Sequence, residues 1–338
     1  LASPPETSAK LTGRAVRLLR GLLVLAVLCG GVGWLAGSLW LDIIANQPGP
    51  HDSNQIILIE PGDGNVRISW VLARAGVVHH RLHYRALSLR RQSNFVPKVG
   101  EYNIPPRASL AEIMAILQAG KSLQRRLTVP EGWQVRQIVE TLNQAEGLTG
   151  QIVNLPAEGS LFPDTFFYQR GMERRQLIER MQAAAETELA LAWAGRAAGL
   201  PLSSAEELRI LASMIEAETG RREERALVAS VFFNRLRRGM RLQSDPTVLY
   251  GLQGRAPMDR QISKQDLQSR HGWNTYLIEG LPKTPIGNPG RAALQAAANP
   301  AATDYLYFVA DGMGGHLFAK TLDAHNRNVR LYRQRINQ

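Results

Sequence analysis

The sequence predicts an α+β protein in three parts: an N-terminal transmembrane helix, a small α+β module and a larger mixed α+β domain. Three observations carry that expectation. Residues 21–41 are uncharged and mainly apolar. Between residues 55 and 150 a strand–turn–helix order occurs three times. From 151 to 338, helical periodicities alternate with Gly- and Pro-rich loops and lead into a late hairpin.

The chain begins with a small, polar tail over residues 1–20, in which Lys10, Arg14, Arg17 and Arg20 precede the apolar run. About 20 apolar residues cross a bilayer, and residues 21–41 meet that length. Positive charge before the run and Asp42 after it predict a cytoplasmic N-terminus and an exported remainder. A cleaved signal peptide is the competing expectation, although the run exceeds an ordinary h-region. Cys29 is the only cysteine and lies inside the run, so the exported part has no disulfide and relies on an ordinary core. Residues 42–54, with Pro48, Gly49 and Pro50, read as a linker.

The three repeated units follow over 55–150. Ile56–Ile59 leads through Pro61-Gly62 into a helix over 66–75. Tyr102–Ile104 leads through Pro105-Pro106 into 109–118, and Leu127–Val129 through Pro130-Glu131-Gly132 into 134–143. Such units resemble LysM modules, which bind cell-wall glycan; a plain spacer is the alternative. His79, His80 and His83 cluster locally, but no further ligand is evident, so a solvated basic face shared with Arg81 and Arg85 is expected instead of a metal site.

In the domain over 151–338, residues 161–168 are dense in aromatics, for a core or for a sugar-stacking wall. A long Ala-rich helix is expected over 173–198. Next comes Leu208–Gly220, an amphipathic helix with one fault. Leu208, Leu211 and Ile215 define an apolar arc, and at about 100° per residue Glu218 falls inside it. Glu216 falls on the other side near Arg209, where solvent is expected. Gly220 is the expected C-cap. A carboxylate in the last turn opposes the helix dipole and, if partly buried, has a raised pKa, as suits a proton donor. A rim glutamate paired with an arginine is the plain alternative. A second helix over 223–238 carries Asn234 and Arg235. Polar loops with Gln243, Ser244, Asp245, Asn274 and Tyr276 follow. A strand at 305–309 and a return strand from His316 form the hairpin, and a polar helix begins at Leu322.

The net charge of +11 favours anionic partners. Nucleic acid is not among the expected partners, because zinc-finger spacing, RNP-like aromatics and a concentrated basic helix are all missing. The chain carries no G-x-S-x-G, H-E-x-x-H or P-loop. Acid catalysis on a polar, weakly charged substrate remains.

Taken together, Val129-Pro130-Glu131-Gly132, Glu158-Gly159 with Leu161–Thr165, Glu216-x-Glu218-Thr219, Asn234-Arg235-Leu236, Gly239–Val248, Asn274-Thr275-Tyr276, Gly280-Leu281-Pro282, Asn288-Pro289-Gly290 and Tyr305–Val309 resemble the endolytic murein transglycosylases, the YceG-like family. Each motif is short, but their joint order is specific. Trp273 stands where Tyr is usual, and Lys283-Thr284 where Pro-Gly is usual. The resemblance implies a YceG-like catalytic domain over 151–338, with Glu218 as the catalytic acid and then base. The implied substrate is the peptidoglycan glycan strand, cleaved with closure of a 1,6-anhydro ring. Gln243, Asn274 and Tyr276 are expected substrate contacts, with Asn234, Asp245 and His316 as further ones or as structural pins. Neither a cofactor nor a metal is implied. Implied partners are the inner membrane, peptidoglycan synthases and division or elongation proteins. The implied location is the cell inner membrane, single-pass, with the catalytic domain periplasmic. A non-catalytic wall-binding scaffold and a membrane-tethered nucleic-acid binder are the rival functions.

Overall fold

The computed structural model describes residues 7–91, 94–252 and 262–336. Two compact units divide at Leu123 and Gln124. In the first, helix α1 (Thr7–Asn46) contains a 29-residue stretch, Leu18–Asn46, with mean hydropathy 2.1, long and apolar enough to cross a membrane. From Leu18 to Trp40 its leucines, valines and tryptophans are exposed.

The expected linker over 42–54 is ordered instead. Helix α1 runs on to Asn46, Arg107 N–H donates to the His51 carbonyl at 2.7 Å, and the buried His51 bonds the Pro105 carbonyl through Nε2 at 2.7 Å. Strand β1 (Gln55–Ile59) leads to α2 (Asn65–Arg74) and α3 (Arg81–Arg90); β2 (Gly100–Ile104) and α4 (Leu110–Ala119) follow. β1 and β2 pair antiparallel, Gln55 opposite Ile104. The two-residue side-chain period turns Ile57 and Ile59 inward and leaves Ile56 exposed. They meet Ile68, Leu72, Tyr84, Leu87, Ile113 and Leu117 in one core. Ser109 and Glu112 form a capping box that starts α4. The histidines have local roles: His80 Nδ1 accepts from Leu82 N–H, and His79 bonds the Pro48 carbonyl.

The second unit contains β3 (Arg125–Thr128), α5 (Val135–Gln144), β4 (Thr165–Tyr168), α6 (Arg174–Ala194), α7 (Ala205–Glu218), α8 (Arg225–Arg237), α9 (Asp245–Gly251), α10 (Lys264–Leu267), α11 (Arg291–Ala298), β5 (Tyr307–Ala310), β6 (His316–Ala319) and α12 (Leu322–Ile336). The third strand–turn–helix copy therefore departs from the expected module over 55–150. β3 pairs antiparallel with β4 from the aromatic stretch, Thr128 opposite Thr165, so it joins the second unit. The aromatic stretch packs as core: Phe162, Phe166 and Tyr168 are buried. α7 lies at the centre, in contact with α6, α8, α9 and α11.

Gly159 has φ +81°, and a Cβ there would stand 2.6 Å from the Pro285 ring. Gly159→Ala is therefore expected to cost about 1–3 kcal/mol, read as a lower urea midpoint.

Candidate active site

Helix α7 explains why the acid sits where it does. Ser204 caps it by accepting from Glu207 N–H, and Glu206 and Glu207 favour its first turn. Every residue from Leu208 to Ile215 is buried. The helix is therefore not amphipathic in the expected sense: its polar arc is covered too. Arg209 is buried against the Glu186 carboxylate at 2.7 Å and the Gly159 carbonyl at 3.4 Å.

Glu216, read from sequence as a surface charge, has a side chain only 4% exposed. It accepts from Arg225 Nη2 and, at 2.9 Å, from Gly290 N–H. Arg225 Nη2 also donates to Glu131 at 3.1 Å, so two of the motif glutamates share one buried guanidinium. Burial pushes the Glu216 pKa up, against the pull of Gly290 N–H and Arg225. Gly220 is not the C-cap either. Thr219 ends the helix in extended conformation, φ −145°, and its hydroxyl donates to Glu224 at 3.3 Å.

Glu218 is the last residue of α7. The residue is half-buried overall, yet its carboxyl group is ringed by protein, and desolvation pushes its pKa up to about 7. The Asp245 charge pushes the same way. Opposing it are the Arg235 charge and the hydroxyl of Ser244, which donates to Glu218 Oε1. Ser244 is fixed in turn: its N–H donates to Thr275 Oγ1 at 2.9 Å, and Thr247 Oγ1 donates to its carbonyl at 2.6 Å. Neither Ser244 nor Thr275 was given a role from sequence, because a hydroxyl in a polar loop carries no pattern that says what it touches.

Arg235 is the other residue that sequence reasoning left without a role. It is buried at the end of α8, where Nε donates to the Leu306 carbonyl at 2.6 Å and Nη1 to the carbonyls of Arg241 and Leu242. Nη1 also holds Gln243 Oε1 at 3.0 Å. This clamp shapes the loop that brings Ser244 to Glu218. Gln243 itself takes φ +53°, unusual for a residue with a Cβ, and its side chain is exposed beside the clamp. Tyr276 donates its hydroxyl to Asp245 Oδ1 at 2.6 Å, and burial pushes its pKa up.

Glu218, Gln243, Asp245 and Tyr276 thus share one electrostatic neighbourhood around Arg235 and Ser244. The other expected contacts are placed differently. Asn274 is fully buried; its amide donates to the carbonyls of Leu267 and Ser269, and its oxygen accepts from Tyr276 N–H at 3.0 Å. It closes a loop and has no amide hydrogen left for a ligand. Asn234 donates to the carbonyls of Thr303 and Tyr305, pinning α8 to the segment before β5. His316 Nδ1 lies 2.7 Å from Glu224 Oε2, and its ring meets Phe308 edge-on. All three are held by bonds to the protein itself. Among the described residues, no three His, Cys, Asp or Glu side chains converge as metal ligands.

The arrangement offers one proton of intermediate acidity. Ser244→Ala is expected to leave the fold intact and lower turnover about 10-fold by loosening the acid. Losing a bond that lowers the pKa moves the alkaline limb of the rate profile upward. A pH–rate series on both proteins checks the sign.

The family model described as YceG-like matches residues 57–331. The chain is 29% identical over 91% of its length to a Streptococcus pneumoniae protein named endolytic murein transglycosylase. It spans 63% of that relative's length. A Bacillus subtilis protein of the same name is 37% identical over 52% of this chain and 48% of its own length. A crystal structure of a yceG-like protein from Listeria monocytogenes matches with TM-score 0.54 and 27% identity, over 81% of this chain and 98% of that one. The covered motifs and the model match together make this chain a member of the YceG-like family.

Proposed function

We propose that the protein is a membrane-anchored endolytic lytic transglycosylase of peptidoglycan, with Glu218 as its catalytic group. The observation that carries this is the Glu218 carboxyl: it ends a buried helix, is oriented by Ser244 and is pushed up to about 7. The names of the pneumococcal and Bacillus relatives supply the substrate class.

In the proposed reaction, protonated Glu218 gives its proton to the oxygen between N-acetylmuramic acid and N-acetylglucosamine, and the C–O bond breaks. The new carboxylate then takes the proton from the muramyl C6 hydroxyl, whose oxygen bonds the anomeric carbon. A 1,6-anhydro ring forms, and Glu218 ends protonated again. A hydrolase ordinarily uses two carboxylates, one of them to activate water or attack carbon. Here Asp245, the carboxylate whose charge acts on Glu218, accepts from Tyr276. A nucleophile carried by the substrate makes a single acid sufficient. Gln243 is the proposed amide contact to the sugar.

We further assign α1 as an inner-membrane span with the rest of the chain after it outside, and the β1–α4 part of the first unit as a LysM-like glycan-binding module. Support for the module is the antiparallel β1–β2 pair with α2 and α3 between its strands, and Trp70, 54% exposed beneath the Arg81 guanidinium. Peptidoglycan synthases and division or elongation proteins are the proposed protein partners. Mass spectrometry of digested sacculi tests the reaction. Anhydro-muramyl ends within strands are expected, and reducing-end muramic acid as the sole product would replace the transglycosylase by a hydrolase.

A further inference from the structure

We propose that the outer face of α3 rests on the bilayer surface, with Leu82 and Leu89 in the headgroup–acyl boundary and Arg85 on a lipid phosphate. This rests on the reading of α1 as a membrane span.

Both ends of α3 touch the same turn of α1. Near its N-terminus, the His83 ring meets Trp40 edge-on at 5.8 Å. At its C-terminus, Arg90 Nη1 donates to the Ser38 carbonyl at 3.0 Å and Nη2 pairs with Asp42 at 2.9 Å. Ser38 to Asp42 covers only about 6 Å of helix rise, whereas α3 is about 15 Å long. So α3 lies across α1, not along it.

The level of that crossing follows from length. The 29-residue apolar stretch is about 43 Å long, against a hydrocarbon core of about 30 Å. Its last turns therefore stand among the headgroups. Trp34 and Trp40, 74% and 54% exposed, fit the aromatic belt at such a level.

The faces of α3 then have fixed directions. Tyr84, Leu87 and Ser88 are buried in the unit's core. Leu82 and Leu89 are 48% and 64% exposed, on the side opposite. At about 100° per residue, the stripe of His83 and Arg90 that meets α1 is a quarter-turn from the leucine stripe. A helix lying across a membrane span, with its flank against it, has one face toward the bilayer and one away. The folded core occupies one of these faces and, being part of a water-soluble unit, lies on the far side. The leucine face is left toward the lipid. Arg85 flanks it on the side away from α1. Leucines flanked by an arginine suit an interfacial helix.

The test uses the full chain in vesicles of phosphatidylglycerol and phosphatidylethanolamine carrying nitroxide lipids, labelled shallow for positions 82 and 89 and deep in the acyl chain for Cys29. A fluorophore is attached at Leu82→Cys or Leu89→Cys in a Cys29→Ser background, and at Cys29 itself as the control inside α1. Emission at 82 and 89 is expected to shift to the blue and to be quenched at least threefold. Arg85→Glu is expected to lower that quenching about twofold or more. If Cys29 is quenched and 82 and 89 are not, the docking is overturned while the anchor stands. Positions 82 and 89 shielded from aqueous iodide but untouched by lipid quenchers would mean a protein partner, and would also overturn it. An unquenched Cys29 would remove the anchor and the docking together.

Discussion

A Glu218→Gln variant is expected to lose glycan cleavage by about 10³-fold or more, since it keeps the shape of the acid and removes its proton. Binding of intact strands is expected to persist, so the loss falls on turnover. In the proposed reaction the protonated carboxyl is the donor, and burial pushes its pKa up to about 7. Turnover is therefore expected to fall tenfold per pH unit above that value. The same titration lowers stability in the same direction of pH. Its folded pKa is raised above the ordinary carboxylate value. Its stabilising proton is fully in place below the unfolded pKa, and that stability is lost as pH rises through about 7. Glu218→Gln should therefore melt at a higher temperature than wild type at pH 8 and at nearly the same temperature at pH 4. Equal melting temperatures at pH 8 would contradict the desolvated carboxyl.

The second large effect concerns stability. Arg225→Met is expected to cost about 3–5 kcal/mol, because it leaves the Glu216 carboxylate buried without its cation. The loss should be read from urea unfolding at pH 7. Glu216→Gln added to Arg225→Met is expected to recover part of it, since the uncompensated charge is gone; the double-mutant cycle measures the coupling. A cost below 1 kcal/mol for Arg225→Met would show that water, not Arg225, compensates Glu216.

Glu218 was legible in the sequence because a charge inside an apolar arc is costly and therefore informative. Glu216 was misread for the same geometric reason. Its arc faces neither solvent nor an apolar neighbour but an arginine some nine positions later in the chain, and periodicity sees only one helix at a time. Arg209 is the parallel case, covered by Glu186 and Gly159. The apolar run Ile56 to Ile59 gave β1, but neither its inward side nor its partner. Repetition suggested one module, while pairing sends β3 to β4, which no local pattern encodes. Asn274 shows the limit for sites: an amide in a polar loop looks alike whether it binds sugar or closes the loop. Only its two carbonyl partners tell them apart.

The burial of α7 on all sides also has a kinetic meaning. Its amides can exchange with solvent only when the packing of α6, α8, α9 and α11 opens with them. Hydrogen exchange along α7 should therefore track global unfolding, and α12, in which no residue is buried, should exchange early. The acid at the end of α7 is thus attached to the slowest-opening part of the unit. Its partner Ser244 sits on a loop, so any exchange-detected breathing of the site belongs to the loop side of that bond.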